Sequence, residues 1–411
     1  MNKQTNIPEL RFPEFKREWK EYQFQTHLSK IETGTNKLGS EDFSGLPLLK
    51  MGNIHRGNFS FNKLEKLKKD EVVNKKHLIQ NKDFLFNTRN TMELVGKSAT
   101  WRGESNKFAF NSNIARLTLE NIDTVFFNYL YNTPKLIHRV KSLAVGTTSV
   151  AAIYPRDLKK LKYSIPIFDE QLKIGELFSK LDRQIELEEK KLELLEQQKR
   201  GYMQKIFTQE LRFKDKNGNA YTNWRTIELK NILEKVIDNR GKTPDNSSSE
   251  KYPLLEVNAL GYYHPSYKKV SKFVSESTYN NWFREHLKEN DILFSTVGNT
   301  GIVSLMDGYK AVIAQNIVGL RVNSNNLPAF VYYMLSYWEN QKKIKRIQMG
   351  AVQPSVKVSQ FKFIKYLVPI KDEQEKIANL LSEIDKIINK QLIKIELLKQ
   401  RKKGLLQKMF V

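Results

Sequence analysis

The chain has 411 residues, with 69 lysines and arginines against 45 acidic side chains, a formal net charge of +24 and no cysteine. That length is enough for two ordinary domains plus further helices, and the lack of cysteine removes disulfides, thiolate nucleophiles and thiolate metal sites. No run of about 18 apolar residues occurs, and Met1 to Lys16 has no apolar core of signal-peptide length, so a soluble, cytoplasmic protein without membrane contact is expected.

In chain order, a Glu9-Leu-Arg-Phe12 segment and Trp19 precede a polar loop, Glu32-Thr-Gly-Thr-Asn-Lys37. The apolar runs Leu46 to Met51, Asp83-Phe-Leu-Phe-Asn87 and Asn113-Ile-Ala-Arg-Leu117 read as strands, and Val125 to Tyr131 as an aromatic helix. Gly146-Thr-Thr-Ser149 then closes the segment. The same sequence of features returns later: Glu210-Leu-Arg-Phe213, Trp224, Asn239-Arg-Gly-Lys-Thr-Pro244, Tyr252 to Val257, Asp291-Ile-Leu-Phe-Ser295, Asn316-Ile-Val-Gly-Leu320, Phe330 to Tyr337 and Gly350 to Ser355. Short β-branched and aromatic runs mixed with a few helices predict two similar α+β domains.

After each domain comes a closer repeat. Pro166 to Phe207 returns as Pro369 to Phe410, ungapped over 42 positions with 21 identities. Apolar residues fall at steps of three and four: Ile174, Phe178, Leu181, Ile185, Leu192, Leu195, Tyr202 and Ile206, against Ile377, Leu381, Ile384, Ile388, Ile395, Leu398, Leu405 and Met409. This is a coiled-coil seam. Its polar faults, Glu188 and Lys199, recur as Gln391 and Lys402, which predicts that the copies pair in one register. Gly201 and Gly404 cost roughly 1 kcal/mol each against alanine and predict fraying or a bend in the last turns. Parallel pairing would force the second domain to bridge the full length of the helix, so antiparallel pairing about a pseudo-twofold axis is expected. The boundaries predicted are globular 1–165, helical 166–207, globular 208–368 and helical 369–411.

The two helical segments hold 18 basic and 15 acidic residues, which leaves +21 on the other 326 residues. Such a surplus on the globular parts points to a polyanion, nucleic acid first. The motifs of nucleic-acid chemistry are missing. Gly96-Lys97-Ser98 lacks the earlier glycine of a phosphate-binding loop, having Thr91 there. Gly298-Asn-Thr-Gly301 lacks the Gly-x-Gly start of a dinucleotide or methyl-donor loop and reads as a turn between strands. No Pro-Pro dipeptide exists for an adenine methyltransferase motif, and Pro244-Asp245 with Glu250-Lys251 lacks nuclease spacing. The six histidines form no helix-spaced pair, so no metal, cofactor or catalytic residue is expected.

What remains is a binding surface. Asn53, His55 and Arg56 follow a strand in the first half, as Asn258, Tyr262 and His264 do in the second. Arg89, Asn90, Lys97 and Arg102 follow the first Asp83 run; Thr296, Asn299 and Thr300 follow its counterpart. The polar loops add Lys37, Arg240, Lys242 and Gln353. Asparagine, glutamine and arginine can read base edges while lysine mainly meets phosphate, so these are the candidate DNA-binding residues.

The pattern resembles the DNA-specificity subunit of type I restriction–modification systems. The resemblance covers the whole chain: Pro-Glu-Leu-Arg-Phe-Pro-Glu-Phe at Pro8 to Phe15 with Trp19, two domains in the place of target-recognition domains, and two helical repeats opening Pro-Ile-x-Asp-Glu-Gln. It implies a non-catalytic subunit whose domains each read one half of a split site on double-stranded DNA. It also implies that the antiparallel helices set the gap and dock two methyltransferase subunits, through which ATP-driven restriction (translocase) subunits join. A free-standing DNA-binding regulator, or an enzyme with an unfamiliar active site, are the alternatives that composition leaves open.

Overall fold

The computed structural model describes residues 6–239 and 241–411. The chain divides into two compact units, one of Met1–Glu189 with Lys394–Val411, the other of Lys190–Ile393. Each unit is one globular domain with half of each long helix.

In the first unit, four antiparallel strands lie in the order Leu28–Thr33, Ile114–Leu119, Phe84–Asn87, Ser98–Thr100. Phe84–Asn87 is buried at every position, because it has a strand on each side and a packed layer on each face. Phe84 and Phe86 meet the helix Thr124–Tyr131, with rings of Phe84 and Phe127 5.1 Å apart. Leu85 faces the other way, into a cluster with Leu49, Ile54, Trp101 and Phe110. A strand covered on both faces loses the polar alternation of a half-exposed one, which is why Phe84-Leu-Phe reads as a continuous apolar run. A second sheet pairs Pro47–Leu49 antiparallel with Glu65–Lys66 and parallel with Ala109–Phe110.

The second unit repeats this plan. Its four strands run Leu233–Ile237, Ile317–Val322, Ile292–Ser295, Val303–Leu305, and its smaller sheet pairs Tyr252–Leu255 with Phe273–Val274 and, in parallel, with Val312–Ile313. Even the register irregularity recurs, at Leu28/Lys30 and at Leu233/Lys235. The chain is α+β with an internal repeat.

The Pro-Ile-x-Asp-Glu-Gln opening of each helix is explained by what its side chains hold. Glu170 and Glu373 are wholly buried, and each accepts a two-pronged bond from the arginine of a Glu-Leu-Arg-Phe segment: Arg11 at 2.7 Å, Arg212 at 2.8 and 2.9 Å. Gln171 and Gln374 donate to the carbonyls of Pro166 and Pro369 and accept from the backbone N–H of Asp123 and Leu327, next to the start of the aromatic helix. A buried carboxylate is tolerated only when its lone pairs are filled in this way. The motif therefore bolts helix to domain.

The helices run Phe168–Phe207 and Lys371–Met409, unbroken through Gly201 and Gly404. The expected fraying does not occur, because both ends are held in domain cores. Ile206 and Phe207 pack with Trp224 and Phe330 in the second unit; Met409 and Phe410 pack with Trp19, Phe126 and Phe178 in the first. Within the first unit the pairing is antiparallel, since the bonded partners of Asp182 and Glu188 are Lys402 and Lys394. The polar faults are satisfied across the seam. Lys199 bonds Asp385 at 2.6 Å, and Asp385 also accepts from Tyr333 at 2.7 Å; Lys402 bonds Asp182, which accepts from Tyr129 at 2.6 Å. Burial and the neighbouring carboxylate push both tyrosine hydroxyls far above their ordinary value. Between these anchors Leu192, Leu195 and Ile388 are only half-buried, as two helices alone cannot enclose a seam. Leu187, Leu194, Leu392 and Leu397 lie on the outside, 42 to 59% exposed.

Candidate nucleic-acid interface

In the first unit the predicted residues separate into surface groups and structural ones. Asn53 is buried, and its amide accepts from the Lys50 N–H at 2.9 Å and donates to the Ser60 carbonyl at 3.0 Å. These two bonds fix the shape of its own loop. Arg102 donates to the Tyr129 hydroxyl at 2.7 Å, stands over the Tyr129 ring and lies 3.9 Å from Asp182, yet it stays exposed to solvent. It belongs to the joint between domain and helix.

The others keep free surface. His55 and Arg89 are exposed, Asn90 and Lys97 partly so. Arg89 and Asn90 sit on a two-residue strand that pairs with Ala152 and Ala151. Arg56 is half-buried; its Nη2 lies 3.5 Å from the Glu93 carbonyl and its Nη1 is buried without a partner. Burial lowers the Arg56 pKa, as expected of a cation with no carboxylate beside it. Lys37 pairs with Glu71 at 3.0 Å and borders a cavity of about 490 Å³ with Asn36, Lys50 and Asn113.

In the second unit, Arg240 lies outside the described residues. Lys242 is exposed beside Gly241, whose φ of +69° and open surroundings mark a left-handed turn. Asn258 is exposed, and Tyr262 is 45% exposed with Lys269 Nζ 4.9 Å over its ring. Thr296 and Thr300 are buried, at 7 and 8% exposure, and Thr300 accepts from the Gln348 amide. Thr300 nonetheless borders a surface groove. Asn299 remains exposed at the turn between Ile292–Ser295 and Val303–Leu305, the strand turn that Gly298 and Gly301 predict. Gln353 is exposed on a loop that reaches this turn through the Gly298 N–H to Pro354 carbonyl bond, 2.8 Å. Tyr262 and Asn299 also line a groove of about 1020 Å³ together with Lys199, Arg200, Lys345 and Lys386.

Sequence reasoning missed the Tyr129–Asp182–Lys402 and Tyr333–Asp385–Lys199 clusters. The signal was present: Asp182 and Asp385 occupy the same position of the two repeats, as do the lysine faults that they neutralise. Among the described residues no group of three or more histidine or acidic side chains could hold a metal ion, and no helix is long and apolar enough to cross a membrane.

The model of the type I restriction modification DNA specificity domain matches this sequence twice, over residues 28–197 and 221–397. The chain belongs to the type I restriction–modification DNA-specificity family. Each match takes in most of one globular domain and most of the helix after it, which is the repeating element of the fold. Among relatives in this family, a chain assigned as the MjaX type I restriction enzyme specificity subunit of Methanocaldococcus jannaschii is 26% identical over 404 residues, covering 94% of this chain and 91% of that one. The MjaVIII specificity subunit of the same organism is 23% identical, over 78% of each chain. The crystal structure of a type I restriction–modification S subunit from M. genitalium superposes with a TM-score of 0.63 at 16% identity, covering 98% and 99% of the two chains. A chain from a structure of the type I system's complex assembly and conformational transition gives 0.52 at 14%, over 95% and 97%. The family match favours a specificity subunit over a free-standing regulator.

Proposed function

We propose that this chain is the non-catalytic subunit that chooses the DNA site for a type I restriction–modification complex in the cytoplasm. Each domain, taken as residues 1–165 and 208–368, reads one half of a two-part site on duplex DNA. The helical segments, 166–207 and 369–411, set the unspecified gap and dock two methyltransferase subunits, to which restriction and translocation subunits attach. Methyl-donor and ATP chemistry then belong to the partners.

The observation that carries this reading is the duplication itself. Two copies of one α+β domain, each bolted to its own helix by a buried arginine–glutamate pair, supply two readers of equal construction. The surplus positive charge falls on the domains, which supports a phosphodiester partner. His55, Arg56, Arg89, Asn90, Lys97 and Lys37 in the first domain, and Lys242, Asn258, Tyr262, Asn299 and Gln353 in the second, are the groups offered to bases and phosphates, with Arg240 beside Lys242 in sequence. Exposed Leu187, Leu194, Leu392 and Leu397 support docking of a partner on the helices, since large apolar side chains left in solvent favour burial against a second surface.

The deciding experiment is to map methylated adenines in DNA exposed to this chain with its partner methyltransferase, then to exchange residues 1–155 for those of a relative. The expected result is a two-part site of which only one half changes. A change in both halves, or methylation without a two-part site, refutes the reading.

A further inference from the structure

Each domain carries a second element that recurs at the 203-residue shift and that none of the strand or helix roles above explains. In the first domain, Val145–Gly146 and Ala151–Ala152 form a small hairpin, and Ala151 and Ala152 pair in turn with Asn90 and Arg89. The Ile153 N–H donates to Thr88 at 3.0 Å and the Met92 N–H to Thr148 at 3.1 Å. In the second domain, Met349 and Ser355 bond each other in both directions at 2.8 Å. There the Gly298 N–H donates to Pro354 and the Val356 N–H to Thr296, both at 2.8 Å. Residues 151 and 153 become 354 and 356 on adding 203, so these are the same staples in two copies. Both loops need glycine: Gly146 has φ +137° and Gly350 φ +85°, and a Cβ at either would meet a carbonyl oxygen at 2.3 or 2.9 Å.

A loop so firmly tied exposes apolar side chains. Val150 is 66% exposed and Val352 completely exposed, each beside a polar neighbour, Ser149 and Gln353. The surroundings are strongly basic. Residues 132–162 contain seven lysines and arginines and one acid, and residues 335–365 contain seven and one again. Two segments of 31 residues thus supply +12, half of the chain's net charge of +24. The hairpin stretches 143–153 and 347–356 contain no acid at all. Among the described residues no carboxylate pairs with Lys135, Lys141 or Lys159, nor with Lys345, Arg346 or Lys357. Burial, and after it the adjacent Arg346, hold Lys343 below the ordinary lysine value against the opposing pull of Glu339.

We propose that these two stapled loops are DNA-engaging fingers, which enter a groove of the duplex with Ser149–Val150 and Val352–Gln353 while the cations around their bases hold the flanking phosphates. This rests on the reading of the domains as DNA readers and adds which element enters the groove. The chemistry favours duplex DNA over a protein partner. Protein interface cores are depleted in lysine, whereas phosphate contacts require it. An exposed valine with a neighbouring amide or hydroxyl matches the thymine methyl and base-edge acceptors displayed together in the major groove.

The test uses the full chain in complex with its methyltransferase subunits, and duplex DNA carrying the site identified by methylation mapping. K345A/R346A/K357A should flatten the slope of log affinity against log salt by about 2 to 3, since each phosphate contact contributes about 0.9. V352A and Q353A should leave that slope in place and relax the methylated sequence at a base position in one half only. S149A and V150A should do the same in the other half. An unaltered slope together with an unaltered methylated sequence overturns the fingers. So does loss of the methyltransferase from K345A/R346A/K357A with the DNA slope retained, which would make this a protein-facing surface. Failure of the unmodified complex to show a two-part site refutes the underlying reading, and it is visible before any variant is made.

Discussion

Removing Arg212 tests whether the bolt between the second domain and its helix is structural in the way described. Glu373 has no exposed surface, and its two oxygens are filled by Arg212 at 2.8 and 2.9 Å and by the Trp224 indole at 3.2 Å. R212A leaves that carboxylate buried with only the indole bond and also frees the Thr222 carbonyl, bonded at 2.8 Å. Breaking one side of a buried pair costs about 3–5 kcal/mol, and the lower end applies here because the arginine side chain is 23% exposed. For a unit of about 200 residues each kcal/mol moves the melting temperature by roughly 2–4 °C, so the loss of about 3 kcal/mol should lower it by roughly 6–12 °C. Calorimetry should show this in one of two transitions, since the first unit has its own Arg11–Glu170 pair. Adding E373Q to R212A should recover much of the loss by removing the stranded charge. A fall of less than about 2 °C, or equal movement of both transitions, would refute the account, because it would mean that the carboxylate is solvated or that the units do not melt separately.

If the helices are the ruler of the site, one heptad inserted into both, between Glu186 and Leu195 and between Asn389 and Leu398, lengthens the pair by roughly 10 Å, about three base pairs. Methylation mapping should then return the same half-sites across a longer gap; activity confined to the original gap would refute the ruler. A pH effect should be confined to the first unit. His27 is buried with its Nδ1 2.7 Å from the Tyr163 hydroxyl, and burial lowers its pKa. The folded state therefore holds it neutral, so its contribution is complete above the unfolded value of about 6.5 and declines as pH falls below that. Thermal melts at about pH 7.5 and 5.5 should show this decline. H27I, which installs the residue found at the matching position, Ile232, should reduce it to what His77 contributes, whose pKa burial also lowers, with Tyr163 left as unpartnered as Tyr366; an unchanged pH slope in H27I would exclude His27 as a source.

The sequence by itself determined the repeat, the helix seam and its register, because these depend on local periodicity that survives without any long-range contact. Ile174, Phe178, Leu181 and Ile185 announce a helix face wherever the rest of the chain goes, and the paired faults Lys199 and Lys402 fix how two such faces align. The α+β character was legible for the same reason, in runs such as Phe84-Leu-Phe whose unbroken apolarity signals burial on both sides. Only the tertiary structure decided which polar side chains are free. Asn53, Thr296 and Thr300 look in sequence like loop-tip readers, yet all three are largely buried, and the first is bonded within its own loop. Arg102 looks in sequence like a loop cation, and only the fold shows that it also reaches the Tyr129–Asp182 joint while staying exposed. Glu170 and Gln171 look like first-turn helix residues, and their long-range partners make them the bolt to the domain. Asn53 is held by Lys50 and Ser60 in its own loop, but for Arg102, Thr300, Glu170 and Gln171 the partners lie tens to hundreds of positions away, where no local pattern encodes them. The fingers show the same division: their basic surroundings are countable in the sequence, but the staples from Thr88 and Thr296 that hold Val150 and Val352 out into solvent arise only when distant strands meet.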